Sequence, residues 1–187
     1  MRALLAFVAL AACKGHPDAP PPPAPAAPAT LGKLTFSDFW TIAGVTRTDT
    51  PETVVQKWGK PDEMGDDGDG GKLLRYLHGP ALTFRTDKAI QIDFALYGDE
   101  LTFAKTHPDP KLALLGMPCD EAAKHLAFTD KIDEYTTCKH YDANGWLVDF
   151  TAMCSGGHMS SLVIVWYPLG DVGSQPLPVD HCGEPKD

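Results

Sequence analysis

Residues 89–97 read Ala-Ile-Gln-Ile-Asp-Phe-Ala-Leu-Tyr, and most of this stretch alternates between apolar and polar side chains. Because side chains alternate across a strand, such a pattern predicts a β-strand with one buried face. The two faces would carry Ile90, Ile92 and Phe94 on one side and Gln91 and Asp93 on the other. Two further β-like segments precede it, at 72–78 and 81–86. The three segments together predict an antiparallel meander.

A helix is predicted immediately before this meander. Thr50-Pro51-Glu52 supplies a hydroxyl for the N-cap, a proline for the first helical position and an acid beside the positive end of the helix dipole. Val54, Val55 and Trp58 would form the apolar face of the helix. Gly59 and Pro61 are expected to end it.

The same order recurs further along the chain. Asp120 and Glu121 are expected to open a second helix, whose apolar face is Ala122, Ala123 and Leu126. β-like segments follow it at 135–142, 146–154 and 160–167. The predicted fold class is therefore α+β: two weakly similar units, each a short helical segment followed by an antiparallel β-meander. We assign residues 31–110 to the first unit and 111–187 to the second, and their sheets could join.

The last β-like segment is apolar on both of its faces. Leu162, Ile164 and Trp166 should face the core, but the opposite face is apolar too, with Val163, Val165 and Tyr167. The second face of an antiparallel sheet is usually polar and solvated. The strand could be central and covered on both sides. Alternatively, these three residues form a binding face, because interfaces are rich in aromatic residues.

The first 13 residues have the pattern of an export signal. Met1-Arg2 is followed by an apolar run and then by Leu10-Ala11-Ala12-Cys13. These four residues resemble the lipobox of bacterial lipoproteins. The resemblance implies cleavage after residue 12, acylation of Cys13 and anchoring in a membrane through the lipid. Lys14, rather than Asp, follows the cysteine, which in that family favours the outer membrane over the inner one.

A proline- and alanine-rich segment follows the cysteine, at 13–30. Proline fixes φ and has no amide donor, so this segment is expected to be an extended tether between the membrane and the folded part. The intact chain has a formal charge of −9, and loss of Arg2 with the signal makes it −10. An acidic surface repels phosphates, so nucleic acid is not an expected partner.

Four cysteines remain when Cys13 is set aside, and their even number in an exported chain predicts two disulfides. They are Cys119, Cys138, Cys154 and Cys182. Asn144-Gly145 is typical of a two-residue hairpin turn, so residue 138 should face residue 151. Cys154 would then lie about 10 Å further along its strand, beyond the reach of Cys138. We prefer Cys119–Cys138 with Cys154–Cys182, and Cys119–Cys154 with Cys138–Cys182 stays open.

The helix from Thr50 to Trp58, the following Gly59 and Pro61 and the meander to Tyr97 resemble the small lipoproteins of the outer-membrane barrel-assembly machinery. The paired units, with a diverged second copy in 114–168, also resemble the tandem repeats of the β-lactamase-inhibitor protein fold. Both families bind proteins, and the resemblance implies protein binding here. This chain departs from the barrel-assembly lipoprotein, which has one such unit.

Other motifs give weaker indications of chemistry. Asp66–Gly71 carries three acids but fails the EF-hand spacing, and we expect a flexible acidic loop between the first helix and the first strand. The cysteines with His140, His158 and His181 match no common zinc spacing. Ser155-Gly156-Gly157-His158 is expected to be a turn between strands. We therefore predict no catalytic residue, metal or cofactor.

The leading hypothesis is a membrane-anchored envelope lipoprotein that acts as a non-enzymatic protein-binding module with an unidentified envelope protein as partner. An envelope hydrolase with a dispersed catalytic site is the alternative, and a purely structural lipoprotein is the third. A nucleophile within hydrogen-bonding reach of His125, His140 or His158 would favour the hydrolase.

Overall fold

The computed structural model describes residues 31–85, 89–95, 102–169 and 181–182. The predicted signal peptide, Cys13 and the tether lie outside the described residues. One antiparallel sheet of eight strands, in the order β10-β7-β8-β9-β6-β5-β4-β3, dominates the fold, and a two-stranded hairpin of β1 and β2 accompanies it. The strand bounds are β1 Thr41–Ile42, β2 Val45–Thr46, β3 Glu63–Asp66, β4 Lys72–Arg75, β5 Ala81–Arg85, β6 Ala89–Ala95, β7 Tyr135–Tyr141, β8 Trp146–Ser155, β9 His158–Pro168 and β10 His181–Cys182.

The predicted α+β fold class is confirmed, and each of the six predicted β-like segments contains a strand. The strands β3–β6 form one meander and β7–β9 form another, and the two meanders join where β6 pairs with β9. Ile92 stands opposite Ile164 at the centre of this joint, and both are fully buried. The sheet is therefore continuous, and the similarity of the two units stays a prediction.

In the described part of the chain, three short helices and two 3₁₀ segments accompany the sheet. They are α1 Pro51–Trp58, α2 Thr102–Thr106, α3 Cys119–Lys124 and the 3₁₀ segments Phe36–Trp40 and Pro110–Leu114. The predicted start of α1 is confirmed: the Thr50 hydroxyl accepts a bond from the Thr53 amide, and Gly59 (φ 84°) ends the helix. The second predicted helix is also present as α3, which begins at Cys119, one residue before Asp120.

The main hydrophobic core lies between these helical segments and one face of the sheet. Phe39 and Trp166 are fully buried in it, and the Trp166 Nε1–H donates to the Phe39 carbonyl at 2.9 Å. The Phe39 ring also meets the edge of Phe150, with ring centroids 5.0 Å apart. Such an aromatic pair contributes about 0.5–1.5 kcal/mol beyond its buried area. These contacts fix the 3₁₀ segment Phe36–Trp40 on the sheet.

The predicted register of the β7–β8 hairpin is wrong by one residue. Cys138 faces Phe150 instead of residue 151. The loop has three residues, 143–145, because the Asp142 carboxylate accepts bonds from the amides of Asn144 and Trp146 (both 2.9 Å) and the Asp142 amide donates to the Trp146 carbonyl. Gly145 takes φ 77°, the conformation that a three-residue hairpin loop requires.

Two disulfides are present, and the preferred pairing of the cysteines is wrong. Cys119 is bonded to Cys154, with Cα atoms 6.1 Å apart, and Cys138 is bonded to Cys182, with Cα atoms 4.0 Å apart. This is the pairing left open above. The Cys119 amide donates to the Gly157 carbonyl at the β8–β9 turn, which places Cys119 beside Cys154. Cys182 stands directly opposite Cys138 in the β10–β7 pair.

The acidic loop lies elsewhere than predicted. It joins β3 to β4 in a hairpin, and so it follows a strand instead of the helix. The Asp67 carboxylate organises the loop by accepting bonds from the Asp69 amide (2.9 Å) and the Gly71 amide (2.7 Å). These bonds are the largest cause of the lowered pKa of Asp67.

Candidate binding face

The strands of the large sheet have a second face, opposite the one that the main core covers. Because strands alternate, β9 sends Leu162, Ile164 and Trp166 into the core, where all three are fully buried. Val163, Val165 and Tyr167 therefore lie on the second face. β9 lies inside the sheet, between β8 and β6. This position agrees with the interpretation that the strand is central.

The three predicted residues differ in how far solvent reaches them. Val165 is buried, with 9% exposed, and Val163 is half-buried, whereas Tyr167 is 36% exposed. Leu147 stands opposite Tyr167 and is also buried, with 8% exposed. Leu147 and Val165 are buried without being part of the main core. They form a small apolar cluster of the second face, next to Tyr167.

Two further exposed apolar residues lie on the same face. Tyr135 of β7 is 64% exposed and stands opposite Met153 of β8, which is 39% exposed. Among the described residues, five large apolar side chains are exposed, and three of them, Tyr135, Met153 and Tyr167, share the second face of β7–β9. The sequence analysis missed Tyr135 and Met153. Their signal was the alternation in 135–141 and 146–154, which had not been used to assign faces.

Polar side chains lie between these apolar residues. Lys139 and Asp149 are directly opposite each other, with Nζ and Oδ2 at 3.7 Å, and Asp149 stands next to Val165 on its other side. The hydroxyls of Thr137 and Thr151 are 3.1 Å apart. Burial raises the pKa of Tyr167, and the Asp149 carboxylate raises it further. The second face is thus a mixed surface, with exposed aromatic and thioether groups around a cross-strand ion pair.

Asp93 lies in the middle of this face, opposite Val163. Its Oδ1 atom is buried and has no hydrogen-bond partner in the described part of the chain. Burial raises the pKa of the carboxyl, and a hydrogen bond from Ser161 opposes that effect. Its two cross-strand neighbours, Ala81 and Val163, are apolar, so they do not solvate its charge in the folded state.

The histidines considered for catalysis lie in three separate places. His125 Nε2 is 3.7 Å from Glu121, and the His158 ring nitrogen is 3.2 Å from the Gly156 carbonyl. His140 stacks on Phe36, with ring centroids 5.1 Å apart. Ser155 and His158 face each other across the two glycines, so the predicted turn is confirmed. The structure does not bring the three histidines together.

The four described cysteines are bonded in pairs, so their sulfur atoms do not act as zinc ligands in this structure. No group of three or more His, Cys, Asp or Glu side chains is arranged to hold a metal ion within 31–85, 89–95, 102–169 and 181–182. Among the same residues, no helix has the length and apolarity needed to span a membrane.

Comparison with protein-family models, with curated proteins and with solved structures gives no match for this chain. The function must therefore be argued from the residues of the chain itself.

Proposed function

We propose that the protein is a lipid-anchored lipoprotein of the bacterial cell envelope, at the outer membrane, and that the second face of its sheet binds another envelope protein. The observation that carries the binding proposal is that Tyr135, Met153 and Tyr167 are exposed on one face of three adjacent strands, with Tyr135 and Met153 paired towards one end of β9 and Tyr167 towards the other. Tyrosine and methionine are enriched at protein interfaces.

The sequence before the folded part supports the location. The lipobox-like Leu10-Ala11-Ala12-Cys13 would place acyl chains at the start of the mature chain. Two or three acyl chains hold a protein firmly, since each buried methylene contributes about 0.8 kcal/mol. The Pro/Ala-rich segment 14–30 would keep the sheet clear of the lipid surface. Protein binding is also what the resemblance to the barrel-assembly lipoproteins and the β-lactamase-inhibitor fold implies.

The anchor is tested with Cys13→Ala in the otherwise intact chain. We expect the variant to move from the membrane fraction to the soluble fraction, whereas the wild-type chain stays with membranes until detergent is added. Mass spectrometry of the wild-type N-terminus should show acyl groups on Cys13. A Cys13→Ala chain that remains tightly membrane-bound would contradict the lipid anchor.

The binding face is tested by crosslinking the lipidated protein in native envelopes and identifying captured proteins by mass spectrometry. The variant is Tyr135→Lys combined with Met153→Lys, which changes only exposed side chains and leaves the buried Val165 in place. The matched control is Gln56→Lys, an exposed position on α1, on the opposite side of the sheet.

We expect a reproducible partner that the wild type and Gln56→Lys capture and the double variant loses, while all three chains keep the same circular dichroism. Retention of the partner by the double variant would exclude the second face as its binding site. Absence of any partner with several crosslinkers would argue against a binding module and favour a search for hydrolase activity.

A further inference from the structure

The strand β3 is one edge of the large sheet. It pairs with β4 over all four of its residues, and no other described strand lies on its outer side. All four residues are exposed. An edge strand of this kind has backbone N–H and C=O groups that can pair with another chain.

The hydrogen-bond pattern shows which groups are directed outward. The Asp67 amide donates to the Gly71 carbonyl, directly opposite it at the end of the β3–β4 ladder. Because hydrogen-bonded and non-hydrogen-bonded pairs alternate along an antiparallel ladder, the backbone groups of Glu63 and Gly65 are directed to β4. The N–H and C=O groups of Met64 and Asp66 are therefore directed away from the sheet.

One row of apolar core residues ends at this edge with an exposed side chain. On the helix-covered face, one row of residues crosses the four adjacent strands β3 to β6. From the edge inward, the row is Met64, Leu74, Leu82 and Ile92. The last three are buried, but Met64 is 60% exposed. Leu77 is 70% exposed, and its amide donates to the Asp62 carboxylate at 2.7 Å, so it lies beside the start of β3. Leu77 has the highest exposed fraction among the described large apolar residues, and Met64 is more exposed than Met153 and Tyr167.

The charge of the edge distinguishes between possible occupants. Asp62, Glu63 and Asp66 lie on or next to β3, and only Glu63 has a basic partner there among the described residues, Arg75 at 3.5 Å. Both members of that pair are more than half exposed, so it contributes little. Two copies of this edge would place like charges against each other, which is unfavourable. A basic strand would be attracted to the same acids.

We propose that β3 is a docking edge for an extended basic peptide segment of another protein, which adds to the sheet as a ninth strand. The backbone groups of Met64 and Asp66 would pair with the segment. An apolar residue of the segment would cover Met64, and lysine or arginine residues would meet Asp62 and Asp66. This mode of recognition combines main-chain bonds, which give affinity, with alternate side chains, which give specificity. The edge is separate from the second face of β7–β9 and does not depend on it.

The test uses the full lipidated chain in detergent micelles and a fluorescein-labelled peptide, Lys-Thr-Val-Thr-Lys, with Glu-Thr-Val-Thr-Glu as the matched probe. The central valine and the two end charges lie on one face of such a strand, as contact with Met64, Asp62 and Asp66 requires. Fluorescence anisotropy measures binding, and amide hydrogen exchange reports on individual residues. We expect saturable binding of the basic peptide alone, with slower exchange of the Met64 and Asp66 amides. No saturable binding of the basic peptide, or equal binding of the two peptides, would overturn the proposal.

Two variants locate the site. Asp66→Lys should weaken binding of the basic peptide by about tenfold, because the substitution replaces an attractive charge by a repulsive one. The control Asp130→Lys makes the same charge change in an exposed turn before β7 and should stay within about twofold of the wild type. Met64→Pro removes an outward N–H that β4 does not use, so the sheet should be retained and binding lost. Equal affinity of Asp66→Lys and Asp130→Lys, or full binding by a folded Met64→Pro chain, would place the peptide elsewhere.

Discussion

At the scale of single residues, the Asp93 carboxyl on the second face is buried, and its Oδ1 atom has no hydrogen-bond partner among the described residues. Its raised pKa means that the folded chain holds the proton more tightly than the unfolded chain does. Folding is then favoured by this group below the unfolded pKa of about 3.9, and that contribution is lost as the pH rises through the higher folded pKa. At neutral pH the ionised Asp93 opposes folding.

Asp93→Asn should therefore raise the melting temperature at pH 7 by a few degrees, because the amide has no charge to desolvate. The gain should disappear as the pH falls below the unfolded pKa, where Asp93 of the wild type is neutral too. Scanning calorimetry at several pH values measures both effects, with the exposed Asp130→Asn as control. An equal or lower melting temperature for Asp93→Asn at pH 7 would show that the carboxylate is satisfied in solution.

The second face was only partly predictable at the residue scale. The alternation in 161–167 placed Val163, Val165 and Tyr167 together correctly on one face. It could not rank their exposure, because burial depends on neighbouring strands: Val165 lies between Asp149 of β8 and Gln91 of β6. The exposed members of the face became evident only once β7 and β8 were in register with β9.

At the scale of elements, strong local sequence patterns were sufficient to predict the helices and strands, whereas weak patterns were not. The helix α1 and the strands β4–β9 follow from capping residues and from apolar strand patterns. Glu63–Asp66 has neither signal, and β3 forms because β4 offers it a partner. The cysteine pairing depended on where α3 packs against the β8–β9 turn, a long-range contact that no local pattern contains.

The β7–β8 turn gives the element-scale prediction. Gly145→Ala should lower the free energy of unfolding by about 1–2 kcal/mol, because Gly145 has φ 77° and a β-carbon is strained there. Gly65→Ala in β3 is the matched control, since Gly65 has no positive φ and a β-carbon there meets no atom within 4 Å. Urea denaturation compares the two. Equal stabilities would mean that the loop can rearrange to the two-residue form that Asn144-Gly145 alone indicates.

At the scale of the whole molecule, one disulfide connects a helix to the sheet and the other joins the outermost strand of the sheet to its neighbour. Cys119–Cys154 fastens α3 to the end of β8, and Cys138–Cys182 fastens the two-residue β10 to β7. A pairing of two residues is too short to hold a strand in place by itself. The covalent bond is therefore what keeps residues 181–182 at this edge of the sheet.

Replacing Cys138 and Cys182 together by serine should cost about 3–4 kcal/mol, because the bond closes a long loop of sequence separation 44 and restricts the unfolded chain. The melting temperature of the oxidised double variant measures the loss. The wild type in excess reductant should lose more, since it also opens Cys119–Cys154. If the double variant has the same melting temperature as the wild type, the β10–β7 pairing contributes nothing to stability.

The joint between β6 and β9 also sets the order in which this chain can fold. Ile92 and Ile164 are neighbours in the sheet but far apart in the chain, so the contact order is high and the closing step is slow. A chain is synthesised from its N-terminus, so β6 stays an uncovered edge, with Ile90, Ile92 and Phe94 lacking their β9 neighbours, until β9 is present. The newly made chain is thus most vulnerable to aggregation after β6 has formed and before β9 pairs with it, and a holdase chaperone that shields β6 would act in that interval.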